Sequence, residues 1–170
     1  AASALLDGVV PADLPATQTS YIWLHNAVAL PLMQAQEDLG KAYKAFFEAN
    51  NLHIRLYGKA SVEAVYNLAC CLSCGAAAVL NGIVDASLPP RWPGASPREL
   101  AEARLDMAML MLERAVDAGY SNGAHLLSDS DLQSLRSRRP AQFLAVLGKI
   151  THRGGEADDA AAGADAEGPR

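Results

Sequence analysis

The chain has 170 residues and a formal net charge of −5, with 14 Lys and Arg against 19 Asp and Glu. This length suits one domain with a real core, and the acidic balance excludes the broad basic surface that a nucleic-acid-binding domain presents. Hydrophobic residues make up 51% and aromatic residues only 6%, so much of the apolar content is Ala and Leu, which favours an all-α fold.

The N-terminal part divides into an arm and the start of a helical domain. Residues 1–16 show no sustained period and are predicted to form an extended arm. A helical domain is predicted over residues 17–150, and its first helix is interrupted at Pro31, which lacks a backbone donor and disfavours helix at the residue before it.

A second helical run is predicted over residues 32–49 because an apolar stripe recurs at helical spacing. The stripe, which we expect to face the core, consists of Leu39, Tyr43, Phe46 and Phe47. Asn50 and Asn51 are predicted to stop this helix, and residues 52–57 are predicted to be a connector.

The next helix begins after Ser61, whose hydroxyl can cap it. Its buried face is predicted from the helical spacing of Val62, Val65, Tyr66, Ala69 and Leu72. Asn81 and Gly82 offer a left-handed stop.

A long Pro-rich insert is predicted over residues 82–96, and long ordered loops often contact ligands or partners. Trp92, flanked by Arg91 and Pro93, is therefore a candidate anchor for a partner. The alternative, that Trp92 folds back onto the core of its own domain, stays open.

The C-terminal half carries clear helix signals. Ser96, Pro97 and Glu99 form a capping pattern that predicts a long helix ending near Gly119. The segment 128–131 (SDSD) is predicted to cap a short helix, and Pro140 is predicted to open the last one. Residues 151–170 contain no large apolar residue, so we predict a disordered acidic, Ala- and Gly-rich tail.

Three segments together resemble a tetratricopeptide repeat, and more narrowly the terminal repeat of such an array. They are residues 66–71 (YNLACC), 111–120 (MLERAVDAGY) and 128–136 (SDSDLQSLR). The resemblance covers about residues 62–74 and 101–147. It implies antiparallel helical hairpins from a right-handed superhelix, with the small residues Ala69, Ala108 and Ala115 where the helices meet.

The same resemblance implies a protein-binding surface. Asn67 matches the asparagine that lines the concave groove in peptide-binding members of the family, and Lys59 is the only basic residue nearby on the same stretch. Asn67, Lys59, Arg91 and Trp92 are therefore the candidate partner-binding residues.

The cysteines point to core packing rather than to chemistry. Cys70, Cys71 and Cys74 are an odd number on one predicted helix, which does not suit a disulfide framework and favours an intracellular, reducing compartment, cytosol or an organelle such as the mitochondrion. Zinc would need further ligands, and a thiol nucleophile would need a base that the scattered histidines do not supply. We expect no metal and no cofactor.

Three functions remain as hypotheses. The first is a non-catalytic protein-interaction scaffold or adaptor, a subunit of a larger assembly. The alternatives are an enzyme that uses one of the three thiols and an RNA-binding helical repeat supported only by Arg136, Arg138 and Arg139. No apolar run free of Gly, Asn, Asp and Glu reaches the length of a membrane span, so none is expected. The chain begins at Ala1, which leaves open whether an upstream segment has been removed.

Overall fold

The computed structural model of the protein describes residues 38–83, 88–90 and 93–164, with side chains described as far as residue 152. The predicted arm, the predicted helix before Pro31, and both Arg91 and Trp92 lie outside the described residues. Within the described part the secondary structure is entirely helical, as predicted. In chain order it comprises α1 (Leu39–Tyr57), α2 (Val62–Leu80), α3 (Pro97–Asp117), α4 (Gly123–Ser128), a 3₁₀ turn (Ser130–Leu132), α5 (Gln133–Arg138) and α6 (Pro140–Ala164).

The first described helix, α1, runs past the predicted stop at Asn50 and ends only at Tyr57, before Gly58 at φ 69°. The predicted end and the predicted connector over residues 52–57 are therefore wrong. The side chain of Asn50 does not compete for the helix backbone, because its Oδ1 accepts the N–H of Ser61 at 3.0 Å. Leu52 is buried, so burial offsets the weak helix propensity of this stretch.

The predicted apolar stripe of α1 is only partly in the core. Leu39 and Phe46 are buried and Tyr43 packs against the core, but Phe47 is 47% exposed. The expectation that Phe47 faces the core is therefore wrong, because its ring stacks on Tyr43 at the outer side of the helix, with 6.3 Å between ring centroids.

The central helix of the fold is α2, which packs against both α1 and α3. Its start and end are confirmed: Ser61 Oγ accepts the N–H of Ala64, and Gly82 follows at φ 85°. By length and mean hydropathy α2 could also cross a membrane, which the sequence analysis did not expect. However, 78% of its apolar window is buried within the protein, which is typical of a core helix.

The contacts between α2 and α3 are those of an antiparallel pair. Arg104 near the start of α3 donates to the carbonyl of Gly75 near the end of α2, whereas Gly119 just beyond α3 lies next to Val62 at the start of α2. The three predicted small residues of this interface, Ala69, Ala108 and Ala115, are completely buried. Small side chains of this kind let two helices approach closely.

The insert between α2 and α3 is pinned to this helix pair at Leu88. This side chain is completely buried, and a Cβ on Gly75 would overlap its Cδ2 atom, so the glycine provides the space for it. The buried Arg104 guanidinium donates to the carbonyls of Gly75 and Leu88 at 3.0 Å each. One side chain thus ties the insert to both helices.

The C-terminal helices close the core beneath α2 and α3. The predicted caps are confirmed: Ser96 and Glu99 form the capping box of α3, and Asp129 caps the 3₁₀ turn through the N–H of Asp131 at 2.9 Å. α6 begins at Pro140 as predicted and continues to Ala164. It therefore enters the segment 151–170, for which disorder stays a prediction.

Candidate functional site

A groove of about 710 Å³ opens beside the N-terminal half of α2. One wall is the first turns of α2, and the other is the chain from Tyr120 to Asp131, which contains α4 and the start of the 3₁₀ turn. We call it the α2 groove. Its lining residues are Val62, Glu63, Tyr66, Asn67, Cys70, Tyr120, His125, Asp129, Ser130 and Asp131.

Aromatic and acidic side chains join the two walls. The Tyr66 hydroxyl donates to Asp129 Oδ2 at 2.6 Å, and its ring stacks on Tyr120 with 4.5 Å between centroids and 10° between planes. The Tyr120 hydroxyl shares a hydrogen bond of 2.9 Å with His125 Nδ1, and His125 Nε2 lies 3.9 Å from Asp129 Oδ2. These contacts hold the walls in one arrangement.

Both tyrosine hydroxyls remain protonated in this network at neutral pH. Burial raises the pKa of Tyr66, and the nearby Cys70 and Asp129 raise this pKa further. Burial also raises the pKa of Tyr120. The tyrosines therefore act as hydrogen-bond donors that fix the groove, and neither has the low pKa that a proton acceptor at neutral pH needs.

Asn67 lies on the α2 wall, where the sequence analysis expected a groove residue. Its side chain is only 8% exposed, and what remains exposed lines the groove. The side-chain amide makes no hydrogen bond with any other residue in the described part of the chain. Its nitrogen and oxygen are not among the fully buried polar atoms of the described residues, so the amide is open to the groove and available for a ligand.

The three thiols next to the groove are buried and free of disulfides. Burial raises the pKa of each one, and for Cys74 the pKa rises to about 12. Cys70 Sγ lies 3.8 Å from Asp129 Oδ2, and Cys74 Sγ lies 3.6 Å from the carbonyl of Asp131, so acidic and carbonyl oxygens surround them. A cysteine nucleophile needs a lowered pKa, which is the opposite of this arrangement.

Lys59 does not lie in the α2 groove. It lines a second concavity of about 480 Å³ between α1, α2 and α3, together with Tyr43, Phe47 and Ile54. The structure therefore places Asn67 and Lys59 in different concavities. The reason is the short turn between α1 and α2, in which the Lys59 carbonyl accepts from His53 Nδ1 at 2.8 Å and which keeps Lys59 near α1.

The arginine cluster proposed for RNA is engaged within the protein. Arg139 forms ion pairs with Asp106 at 2.8 Å and with Glu102 at 2.7 Å, and Arg138 lies 3.5 Å from Glu102. Arg136 donates to the carbonyls of Leu126 and Asp129. These side chains connect α5 and its C-terminal end to α3 and to the segment before the 3₁₀ turn.

Sequence reasoning missed most of the groove. It treated Tyr66 as one of several core positions, Tyr120 as the end of a helix and Asp129 as a cap, whereas the structure brings the three together. Tyr66 and Asp129 are 63 positions apart in the chain, and no local pattern connects them. Of the groove residues, Asn67 had been singled out for partner binding through the family resemblance, and Cys70 only as one of the three thiols of the enzyme alternative.

The chain was also compared with known proteins. No model of a known protein family matches it, and neither a curated protein nor a solved structure gives a significant match.

Proposed function

We propose that the protein is a non-catalytic protein-binding module, an adaptor or a subunit of a larger assembly, and that the α2 groove holds an extended segment of its partner. The observation that carries the proposal is Asn67, a residue only 8% exposed whose side chain lines the groove and makes no hydrogen bond with a described residue. An asparagine amide offers both a donor and an acceptor. It can therefore pair with the carbonyl and the N–H of one peptide unit.

The shape of the groove supports a peptide rather than a reacting small molecule. Its volume of about 710 Å³ is large for a single side chain, and it is open along one face between α2 and the chain after Tyr120. The stacked Tyr66 and Tyr120 rings and the Asp129 contact fix its walls. A groove that is already formed costs less ordering on binding.

The resemblance to a tetratricopeptide repeat is consistent with this proposal. Its small residues, Ala69, Ala108 and Ala115, are buried where α2 and α3 pack. In peptide-binding members of that family the matching asparagine lines the concave groove. A basic clamp for a carboxylate is not part of the proposal, because Lys59 lies in the other concavity.

Two alternatives have less support. The raised pKa values of Cys70, Cys71 and Cys74 weigh against a thiol enzyme. The ion pairs of Arg138 and Arg139 weigh against an RNA-binding surface at this cluster, because their charges are already paired with Glu102 and Asp106.

Selection from a displayed library of random peptides tests the proposal. Peptides retained by the protein should shift the side-chain amide resonances of Asn67 in ¹H–¹⁵N spectra. They should also bind the Asn67→Ala variant about tenfold more weakly, because two hydrogen bonds in a buried site are lost.

Asn50→Ala is the matched control, because Asn50 is an asparagine whose Oδ1 is occupied by the Ser61 N–H outside the groove. This variant should keep its peptide affinity. If no peptide is enriched, or if the enriched peptides bind the Asn67→Ala variant as tightly as the parent, the proposed function is rejected.

A further inference from the structure

The charge of the α2 groove is one-sided. Glu63, Asp129 and Asp131 contribute carboxylates to it, and among the described lining residues none is Lys or Arg. The lining also contains one imidazole, that of His125. Arg136 is not a lining residue. Its guanidinium donates hydrogen bonds to main-chain carbonyls, including the carbonyl of Asp129 at 2.6 Å.

The three carboxylates differ in how far the protein itself satisfies them. Asp129 accepts from the Tyr66 hydroxyl through Oδ2 and from the Asp131 N–H through Oδ1. Glu63 is exposed and Asp131 is half-buried, and neither carboxylate forms an ion pair within the described part of the chain. The Asp131 carboxylate accepts a hydrogen bond from the Cys74 thiol. The groove thus holds one structural carboxylate and two that lack a positively charged partner among the described residues.

Asp131 is unfavourably placed for a carboxylate without a cation. Burial raises its pKa, and the charge of the neighbouring Asp129 raises this pKa further, while the hydrogen bond from Cys74 opposes part of the rise. A positive group seated between the walls would relieve both effects, because it supplies the opposite charge that the site lacks. The ligand that fits the electrostatics of this site is therefore cationic.

The aromatic side chains favour the same kind of ligand. Tyr66 and Tyr120 stack within the groove, and Tyr120 is partly exposed. A guanidinium or ammonium group that reaches the carboxylates can also lie against a tyrosine ring, which adds a favourable cation–π contact. An acidic segment would meet repulsion from all three carboxylates.

We infer that the α2 groove binds a basic segment of a partner protein, with an Arg or Lys side chain between Glu63 and Asp131 and the adjacent main chain on Asn67. The inference rests on the proposed function and specifies its partner class. Two independent features carry it. The first is the pair of carboxylates, Glu63 and Asp131, that form no ion pair with a described residue, and the second is Asn67, a nine-tenths buried residue whose side chain lines the groove and makes no hydrogen bond with a described residue.

Defined peptides test the charge requirement directly. Three fluorescein-labelled peptides alternate Ser with Arg, with Gln or with Glu, and fluorescence anisotropy measures their binding to the full chain. We expect the Arg–Ser peptide to bind about tenfold or more tightly than the Gln–Ser peptide. The Glu–Ser peptide should show no binding, and the Arg–Ser affinity should fall as NaCl is raised from about 0.05 M to about 0.3 M.

Substitutions locate the binding. Glu63→Gln and Asp131→Asn should each weaken the Arg–Ser peptide about fivefold and leave the Gln–Ser peptide unchanged. Glu48→Gln is the matched control, because Glu48 is a carboxylate on α1 that pairs with Lys44 and is not part of the groove. It should leave the affinity for both peptides unchanged, and circular dichroism confirms that each variant is folded.

The outcomes separate this inference from the proposed function. If Glu48→Gln weakens the Arg–Ser peptide as much as Glu63→Gln does, the attraction is a general effect of net charge and the inference is overturned. Equal affinity for the Arg–Ser and Gln–Ser peptides also overturns it. If the display selection still yields neutral peptides that depend on Asn67, the proposed function stands while the charge requirement fails.

Discussion

The helix pair α2 and α3 carries a polar residue that is at least nine-tenths buried near each end of α2, and the two residues differ in their hydrogen bonds. Near the C-terminal end the Arg104 guanidinium is 1% exposed, and it donates to the carbonyls of Gly75 and Leu88. Toward the N-terminal end Asn67 is only 8% exposed, yet its side chain makes no hydrogen bond with a described residue and lines a groove. Both positions lie on the same helix pair, so the difference is local.

This difference indicates what each end is for. Burying a polar or charged group is costly unless partners replace water, and at Arg104 they do, so that end stabilises the fold. At Asn67 the side-chain amide opens onto the groove and has no hydrogen-bond partner among the described residues, so it can still gain one from a ligand. We expect substitutions at the first end to change stability and substitutions at the second to change binding.

The largest effect is expected from Arg104→Met, which keeps the length of the side chain but removes its donors. The carbonyls of Gly75 and Leu88 then lose their charged partner, so the free energy of unfolding should fall by about 3 kcal/mol. Urea denaturation followed by circular dichroism measures this. Arg98→Met, at an exposed position of the same helix, should change it by less than about 0.5 kcal/mol. Equal losses in the free energy of unfolding for the two variants would contradict a structural role of Arg104.

Gly75→Ala should cost about 2 kcal/mol, because its Cβ overlaps Leu88 Cδ2 and the insert must shift. In a Leu88→Ala background the same change should become neutral or stabilising, because alanine is the better helix residue. Gly148→Ala on α6, which would meet no atom within 4 Å, is the control and should stabilise. Denaturation of the four combinations gives the coupling energy, and a cost that persists with Leu88→Ala contradicts the packing shown here.

Between the two ends of α2, stability should depend on alkaline pH through the buried thiols. A Cys74 thiol ionises near its ordinary pKa of 9.0 in the unfolded chain but only at about 12 in the folded protein. The stabilisation is therefore complete below about pH 9 and is lost as the pH rises toward about 12, since the unfolded state then releases its proton first.

We expect the fall in the free energy of unfolding between about pH 8 and about pH 10 to be smaller by about 1 kcal/mol in a Cys74→Ala variant than in the parent. Denaturation at a series of pH values measures this fall independently of any constant loss caused by the missing sulfur. Parallel curves for the two proteins would show that this thiol is not protected by burial.

The smallest effect on stability is expected at Asn67. Because its amide makes no hydrogen bond with a described residue, Asn67→Ala should change the free energy of unfolding by less than about 0.5 kcal/mol. Asn50→Ala, which removes the bond to the Ser61 N–H, should cost about 1 kcal/mol. A larger loss in the free energy of unfolding for Asn67→Ala than for Asn50→Ala would mean that Asn67 stabilises the fold, as Arg104 does.

Local chemistry explains why many helix ends could be predicted. Ser61, Ser96 with Pro97, and Pro140 mark helix starts through their own hydroxyl or ring, so a few adjacent residues suffice. The predicted stop at Asn50 failed because its side chain found a partner in Ser61, a contact between two helices. Propensity does not report such contacts.

Contacts between distant segments could not be predicted from local sequence pattern. Nothing near Arg104 in the sequence shows that a charged residue will be completely buried, because its partners are carbonyls of α2 and the insert. Likewise, the stacking of Tyr66 on Tyr120 and the placement of Lys59 away from Asn67 follow from how three helices pack. Composition was enough to predict the all-α class, whereas the lining of the α2 groove could be identified only from the three-dimensional structure.

The bond between Tyr66 and Asp129 spans 63 positions of the chain, and this separation has a consequence during synthesis. A nascent chain that has emerged only as far as α3 holds one side of the groove and lacks the other. Once α2 and α3 have paired, Gly119 already lies next to Val62, so only the short segment from Tyr120 to Asp129 remains to be placed. The α2 groove is therefore completed late, and any chain truncated before Asp129 lacks it even where α1, α2 and α3 have already packed.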